Sequence, residues 1–111
     1  MRLSHVNVTM PPGNEDKARE FYAGPLGLPE IPKPESIRNR GGVWFNAGGL
    51  DVHVSVEEDR FGADARRHFG LECSDIENLR SRLESAGVKT EDGTARAIET
   101  LFCERPVWEP D

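Results

Sequence analysis

The feature that most constrains this fold is that the chain restarts. Residues 3–10 alternate polar and apolar side chains, with His5 on the polar side, and an amphipathic stretch follows; His68, 63 positions after His5, opens the same order again. Period-two alternation marks a half-buried strand. A repeat of this length implies units that each leave an apolar face uncovered and bury it against one another.

In the first unit, Pro11-Pro12-Gly13 ends the strand and Asn14 is placed to cap a helix, with Glu15 and Asp16 suited to its first turn. Ala18, Phe21 and Tyr22 form its apolar face, and Gly24-Pro25 stops it. After Leu26-Gly27-Leu28, a proline-rich stretch and a polar loop lead to two strands, 43–47 and 50–57, joined as a hairpin across Gly48-Gly49. In the latter strand Val52, Val54 and Val56 point one way, while Asp51, His53 and Ser55 point the other.

In the second unit, 68–73 alternates, Ser74-Asp75-Ile76-Glu77 has capping-box spacing, and Ile76, Leu79, Leu83 and Ala86 make a helical stripe closed by Gly87. Residues 88–91 and 98–103 read as strands. Each unit is therefore β-α-β-β-β, one at about 1–58 and one at about 67–111, in a single α+β domain. A chain of 111 residues has room for one core.

A net charge of −6 argues against nucleic acid or an anionic membrane as the main partner, because both need a basic face. No window approaches the ~20 apolar residues of a membrane span. Two cysteines, Cys73 and Cys103, are too few for a disulfide framework, and no signal peptide precedes the first strand, so a cytoplasmic protein is expected. Cys73 lies on the apolar parity of its run and is expected to be a buried small hydrophobe. Gly41-Gly42 and Gly48-Gly49 have no following helix and so are not phosphate-binding loops.

The chemistry-bearing residues are the imidazoles. All three, His5, His53 and His68, lie in alternating runs. Imidazole binds divalent metals and titrates near neutral pH. A lone strand histidine is more often a packed residue than a ligand; three in this pattern suggest the start of a metal site.

These segments together resemble the vicinal oxygen chelate superfamily, which includes glyoxalase I, fosfomycin and bleomycin resistance proteins and extradiol dioxygenases. The resemblance rests on Ser4-His5-Val6-Asn7-Val8, Ala18-Arg19-Glu20-Phe21-Tyr22 with Leu26-Gly27-Leu28, the run 51–57, and Arg67-His68-Phe69 followed by the Asp75 helix, and it covers 1 to about 92. It implies two βαβββ units forming a curved mixed sheet around a metal cavity, with strands ordered fourth, first, fifth, eighth at its centre and helices on the outer face. His5 and His68 match the first- and fifth-strand ligands, and His53 matches the fourth-strand position in a register uncertain by a residue or two. The implied cofactor is a divalent ion, Zn, Ni, Mn or Fe, acting as a Lewis acid in a lyase, isomerase or dioxygenase reaction. The resemblance also implies a homodimer and a small-molecule ligand.

The family's fourth ligand, a glutamate in a C-terminal motif like Asp-Pro-x-Gly-Asn-x-Ile-Glu, is absent. The second unit is shorter than the first by about one strand, so the eighth strand is expected to be missing or replaced. Arg105-Pro106-Val107-Trp108-Glu109-Pro110-Asp111 stands there. Encoded as CGA CCC GTT TGG GAA CCG GAT and read one nucleotide later, it gives Asp-Pro-Phe-Gly-Asn-Arg, so a frameshift near codon 105 is expected. An ordinary divergent tail would instead leave Trp108 filling a surface pocket. No carboxylate is well placed as a replacement ligand: Glu72 shares the parity of His68 but reads as a solvated strand residue.

Two functions follow from the resemblance. One is a glyoxalase-like metal-dependent enzyme, impaired by the altered C-terminus. The other is a metal-free binding protein that sequesters a small molecule, with Asn7, Trp44 and Asn46 lining its cleft by strand parity. Lys33, Arg38 and Arg40 flank the loop before Trp44 and read mainly as solvated charges.

Overall fold

The structure is a computed structural model that describes residues 1–57, 68–93, 101–103 and Trp108. Its order is β1 (His5–Met10), α1 (Glu15–Tyr22), β2 (Glu30–Ile31), a 3₁₀ segment (Glu35–Arg40), β3 (Val43–Asn46), β4 (Asp51–Val56), α2 (Ile76–Ser85), β5 (Thr90–Asp92) and β6 (Leu101–Cys103). The first unit is the expected β-α-β-β-β. It forms a mixed four-stranded sheet in the order β1-β4-β3-β2, with β1 parallel to β4 and the other pairs antiparallel. A separate antiparallel pair, β5-β6, packs with α2.

Parity assigns the two faces of the larger sheet as expected. Met10, Val43, Phe45, Val52 and Val54 are buried on one face together with Ala18 and Tyr22 of α1. Burying side chains of this size supplies roughly 1.5–3 kcal/mol each, and it is what fixes the register. A one-residue slip would turn the valines of β4 outward. Tyr22 ends α1 against Phe45, their rings 5.4 Å apart. The chain then reverses through Gly27 at φ 70°, with Leu28 N–H donating to Tyr22 O at 2.8 Å.

Gly42 is the tightest backbone position leading into β3. Its φ is 89°, and a Cβ there would lie 2.6 Å from Val54 O. Its N–H donates to Glu15 Oε2 at 3.0 Å, which ties the start of β3 to the first turn of α1. Asn14 precedes α1 as expected, yet its side chain makes no cap bond to the helix. It is buried and donates instead to Pro11 O and Pro12 O, closing the turn that ends β1.

The second unit departs from expectation among the described residues. Residues 68–73 form no strand, so α2, β5 and β6 are the elements found there. Alternation alone does not make a strand. Gly70 brings no side chain to bury, and Leu71 is left 41% exposed. Phe69 nevertheless packs against the core of the first unit. Cys73, expected to be buried, is exposed, because its segment has no sheet face to turn inward. The cap of α2 also shifts by one residue: Asp75, not Ser74, accepts from Asn78 N–H at 3.0 Å. The Asp75 carboxylate thus satisfies one of the free N–H groups of the first turn.

Trp108 is half-buried and packs against the same core as Phe69. The rest of the segment 105–111, and residues 98–100 of the expected last strand, lie outside the described residues. Among the described residues, no helix is long and apolar enough to cross a membrane.

Candidate functional site on the sheet face opposite α1

The face of the sheet that turns away from α1 carries the polar strand residues singled out in the first unit. Register places Asn7, His53, Trp44 and Ile31 in one row across β1, β4, β3 and β2. The neighbouring row holds His5, Asp51 and Asn46. Ser55 and Thr9 form a third. Alternation on three strands thus delivers imidazole, indole, amide, hydroxyl and carboxylate groups to one surface.

His53 is the centre of this face. Its ring lies between two others: Trp44 at 3.6 Å between centroids and 6° between planes, and His5 at 4.5 Å and 19°. The first contact joins directly opposed residues. The second is a diagonal one across the parallel pair, within reach of aromatic side chains on neighbouring strands. The His53 side chain is only 12% exposed, and its Nε2 is buried without a hydrogen-bond partner. Burial depresses the pKa of His53 below its usual value, His5 alongside adds to this, and Asp51 opposes it. Burial thus favours the neutral form of the ring.

Asp51 Oδ2 lies 3.8 Å from His53 Nε2, too far for a hydrogen bond. Its Oδ1 accepts from Asn46 Nδ2 at 3.2 Å, and the same amide donates to Gly48 O at 2.9 Å. Ser55 Oγ donates to Asn7 Oδ1, and Ser4 Oγ lies 3.0 Å from His5 Nδ1. Several side chains of the face are therefore oriented by a neighbour, and among the described residues the Nε2 of His53 is the buried polar atom left without one.

The expectations for individual residues divide. His5 and His53 are together, and Asn7, Trp44 and Asn46 share their face. His68 is exposed, in the segment before α2 that forms no strand. Asp51 was missed as the carboxylate of the site, although its parity with His53 on β4 was visible in the sequence. Among the described residues no three His, Cys, Asp or Glu side chains are grouped so as to hold a metal ion. The stack explains this in part: imidazoles sharing an ion aim nitrogen lone pairs at a common point, whereas His5 and His53 present their ring faces to each other. In this arrangement the donor set does not fit a divalent metal.

What the arrangement offers is a recognition surface. Indole and imidazole edges supply apolar area with polar rims, flanked by two amides, two hydroxyls and a carboxylate. Small-molecule sites are commonly of this kind, mostly apolar with a few placed polar groups.

Solved structures resemble this chain along most of its length. A glyoxalase family protein from Bacillus anthracis is 36% identical over 87% of this chain and 79% of its own, with a TM-score of 0.80. A glyoxalase/bleomycin resistance protein/dioxygenase from Alicyclobacillus acidocaldarius is 19% identical, covering 92% of this chain and 81% of its own, with a TM-score of 0.65. The genomically encoded fosfomycin resistance protein of Listeria monocytogenes is 19% identical, covering 86% and 73%, with a TM-score of 0.61. The latter two speak for the fold alone. No family model and no curated protein matches the sequence.

Proposed function

Since this chain belongs to the glyoxalase family, within the vicinal oxygen chelate superfamily, we propose that it is a small-molecule binding protein whose ligand sits on the sheet face built around His53. The observation that carries this reading is the His5–His53–Trp44 stack with the partnerless Nε2 of His53. An unsatisfied buried nitrogen costs about 1–3 kcal/mol, and a ligand group that hydrogen-bonds to it recovers part of that. Asn7, Trp44 and Asn46 border the ligand. The reading also includes a homodimer, because β1 is the outer strand of its sheet among the described residues and its second edge is suited to pairing. A cytoplasmic location agrees with two cysteines that form no disulfide.

The second reading is a metal-dependent lyase, isomerase or dioxygenase with His5, His53 and His68 as ligands. One observation favours it: His53 is held neutral, as a metal ligand must be. It requires the stacked rings to re-aim and His68 to join them.

Metal analysis of protein purified without chelator, combined with Trp44 emission in a Trp108→Phe background, separates the two. The binding reading expects substoichiometric metal and a small-molecule-dependent change in Trp44 emission that His53→Ala abolishes. Stoichiometric Zn, Ni, Mn or Fe that is lost in His5→Ala and His68→Ala would replace it with the metal-dependent reading.

A further inference from the structure

Resting on the reading of this face as a binding site, we propose that its ligand carries a cationic nitrogen donor, an amine or amidine, seated against Asp51. Three observations point the same way. First, Asp51 is the one acidic residue among the described strand residues of this face. Its side chain is 34% exposed, so it is open to a ligand while partly shielded from water.

Second, no lysine or arginine stands among those strand residues. Two cations of the 33–40 segment are engaged elsewhere: Lys33 Nζ donates to Gly41 O at 2.6 Å, and Arg38 Nη2 lies 3.4 Å from Lys33 O. Among the described strand residues of the face, a carboxylate or phosphate ligand would find no lysine or arginine, and it would bring its charge up to that of Asp51. Like charges brought together in a partly desolvated place repel more strongly than in bulk water.

Third, two acceptors are spaced for one donor. Asn46 holds Oδ1 of Asp51, which leaves Oδ2 facing His53 Nε2 across 3.8 Å. At the ordinary donor–acceptor distance of about 2.9 Å, a single nitrogen bearing two hydrogens spans both atoms when His53 is the Nδ1–H tautomer, once the groups that cover Nε2 shift enough to admit it. An alcohol, with one hydrogen, satisfies one of them. The indole of Trp44, stacked on His53, supplies apolar surface for the body of such a ligand.

The test is a fragment set balanced among matched amines, alcohols and carboxylates, with binding mapped by protein-observed NMR on the full chain and on Asp51→Asn. Amines should bind this face about tenfold or more tightly than their carboxylate counterparts, as a charge-assisted hydrogen bond implies, and Asp51→Asn should erase the preference. Fragments that bind this face with no charge preference, with a preference for carboxylates, or with a preference for amines that Asp51→Asn leaves unchanged would overturn the ligand class and leave the binding site standing. If fragments bind only elsewhere on the protein, the binding-site reading falls and the ligand class with it. The bias in the unmodified protein is informative even if Asp51→Asn does not fold.

Discussion

Substituting Gly42 by alanine tests how the sheet face is held in position. Gly42 sits at φ 89°, immediately before the strand that carries Trp44, and a Cβ would lie 2.6 Å from Val54 O. A left-handed backbone costs an L-residue about 1–2 kcal/mol. The clash adds about 1–3 kcal/mol, because Val54 belongs to the paired β4 strand and has little room to yield. Restricting the unfolded chain returns about 0.4–1 kcal/mol. The net expectation is a loss of about 2–4 kcal/mol. Gly48→Ala is the control: φ is 76° there, and an added Cβ meets nothing within 4 Å. It should lose only about 1 kcal/mol, the conformational part. Urea unfolding of both variants, compared at constant m-value, reads the difference. Midpoints that fall by the same amount would refute the claim that contact with the Val54 carbonyl sets the cost at Gly42.

Other expectations follow from single contacts. Asp75→Ala removes the side-chain cap of α2 and should destabilise the protein by about 1 kcal/mol in urea unfolding, whereas Ser74→Ala should have little effect; the opposite ranking would restore the capping box. His53 has a pKa below that of the unfolded chain, so between these two values the unfolded state binds more protons than the native one. Stability should therefore rise with pH through that window and be lost as pH falls below about 6.5, the usual histidine value. His53→Gln should flatten this part of the profile, and an unchanged slope would contradict the assignment. Phe45→Ala, at the centre of the core, should cost about 3–5 kcal/mol in the same assay.

The first unit was legible because its signals are local and mutually consistent. Alternation on β1 and β4, the paired glycines of the hairpin and the breaker after Tyr22 agree on one topology, and parity alone put Asn7, Trp44, Asn46, His5 and His53 on one face. The 3₁₀ segment Glu35–Arg40 was hidden because its polar residues carry no apolar period. The strand expected at 68–73 failed for a different reason. Its residues alternate, but strand formation depends on a neighbour to pair with, which a pattern within one segment does not report. His68 falls in that segment and so is not carried on a strand. Asp51 shares the parity of His53 on β4, but its 3.8 Å approach to that ring is set by side-chain conformation, which parity does not report.

The account turns on His53 being packed between Trp44 and His5, and NMR of the His53 ring protons tests that most directly. Protons held over the indole face should resonate upfield of those of a free histidine and move back toward that position in Trp44→Leu. Resonances already at the free-histidine position in the unmodified protein, and indifferent to Trp44→Leu, would contradict it.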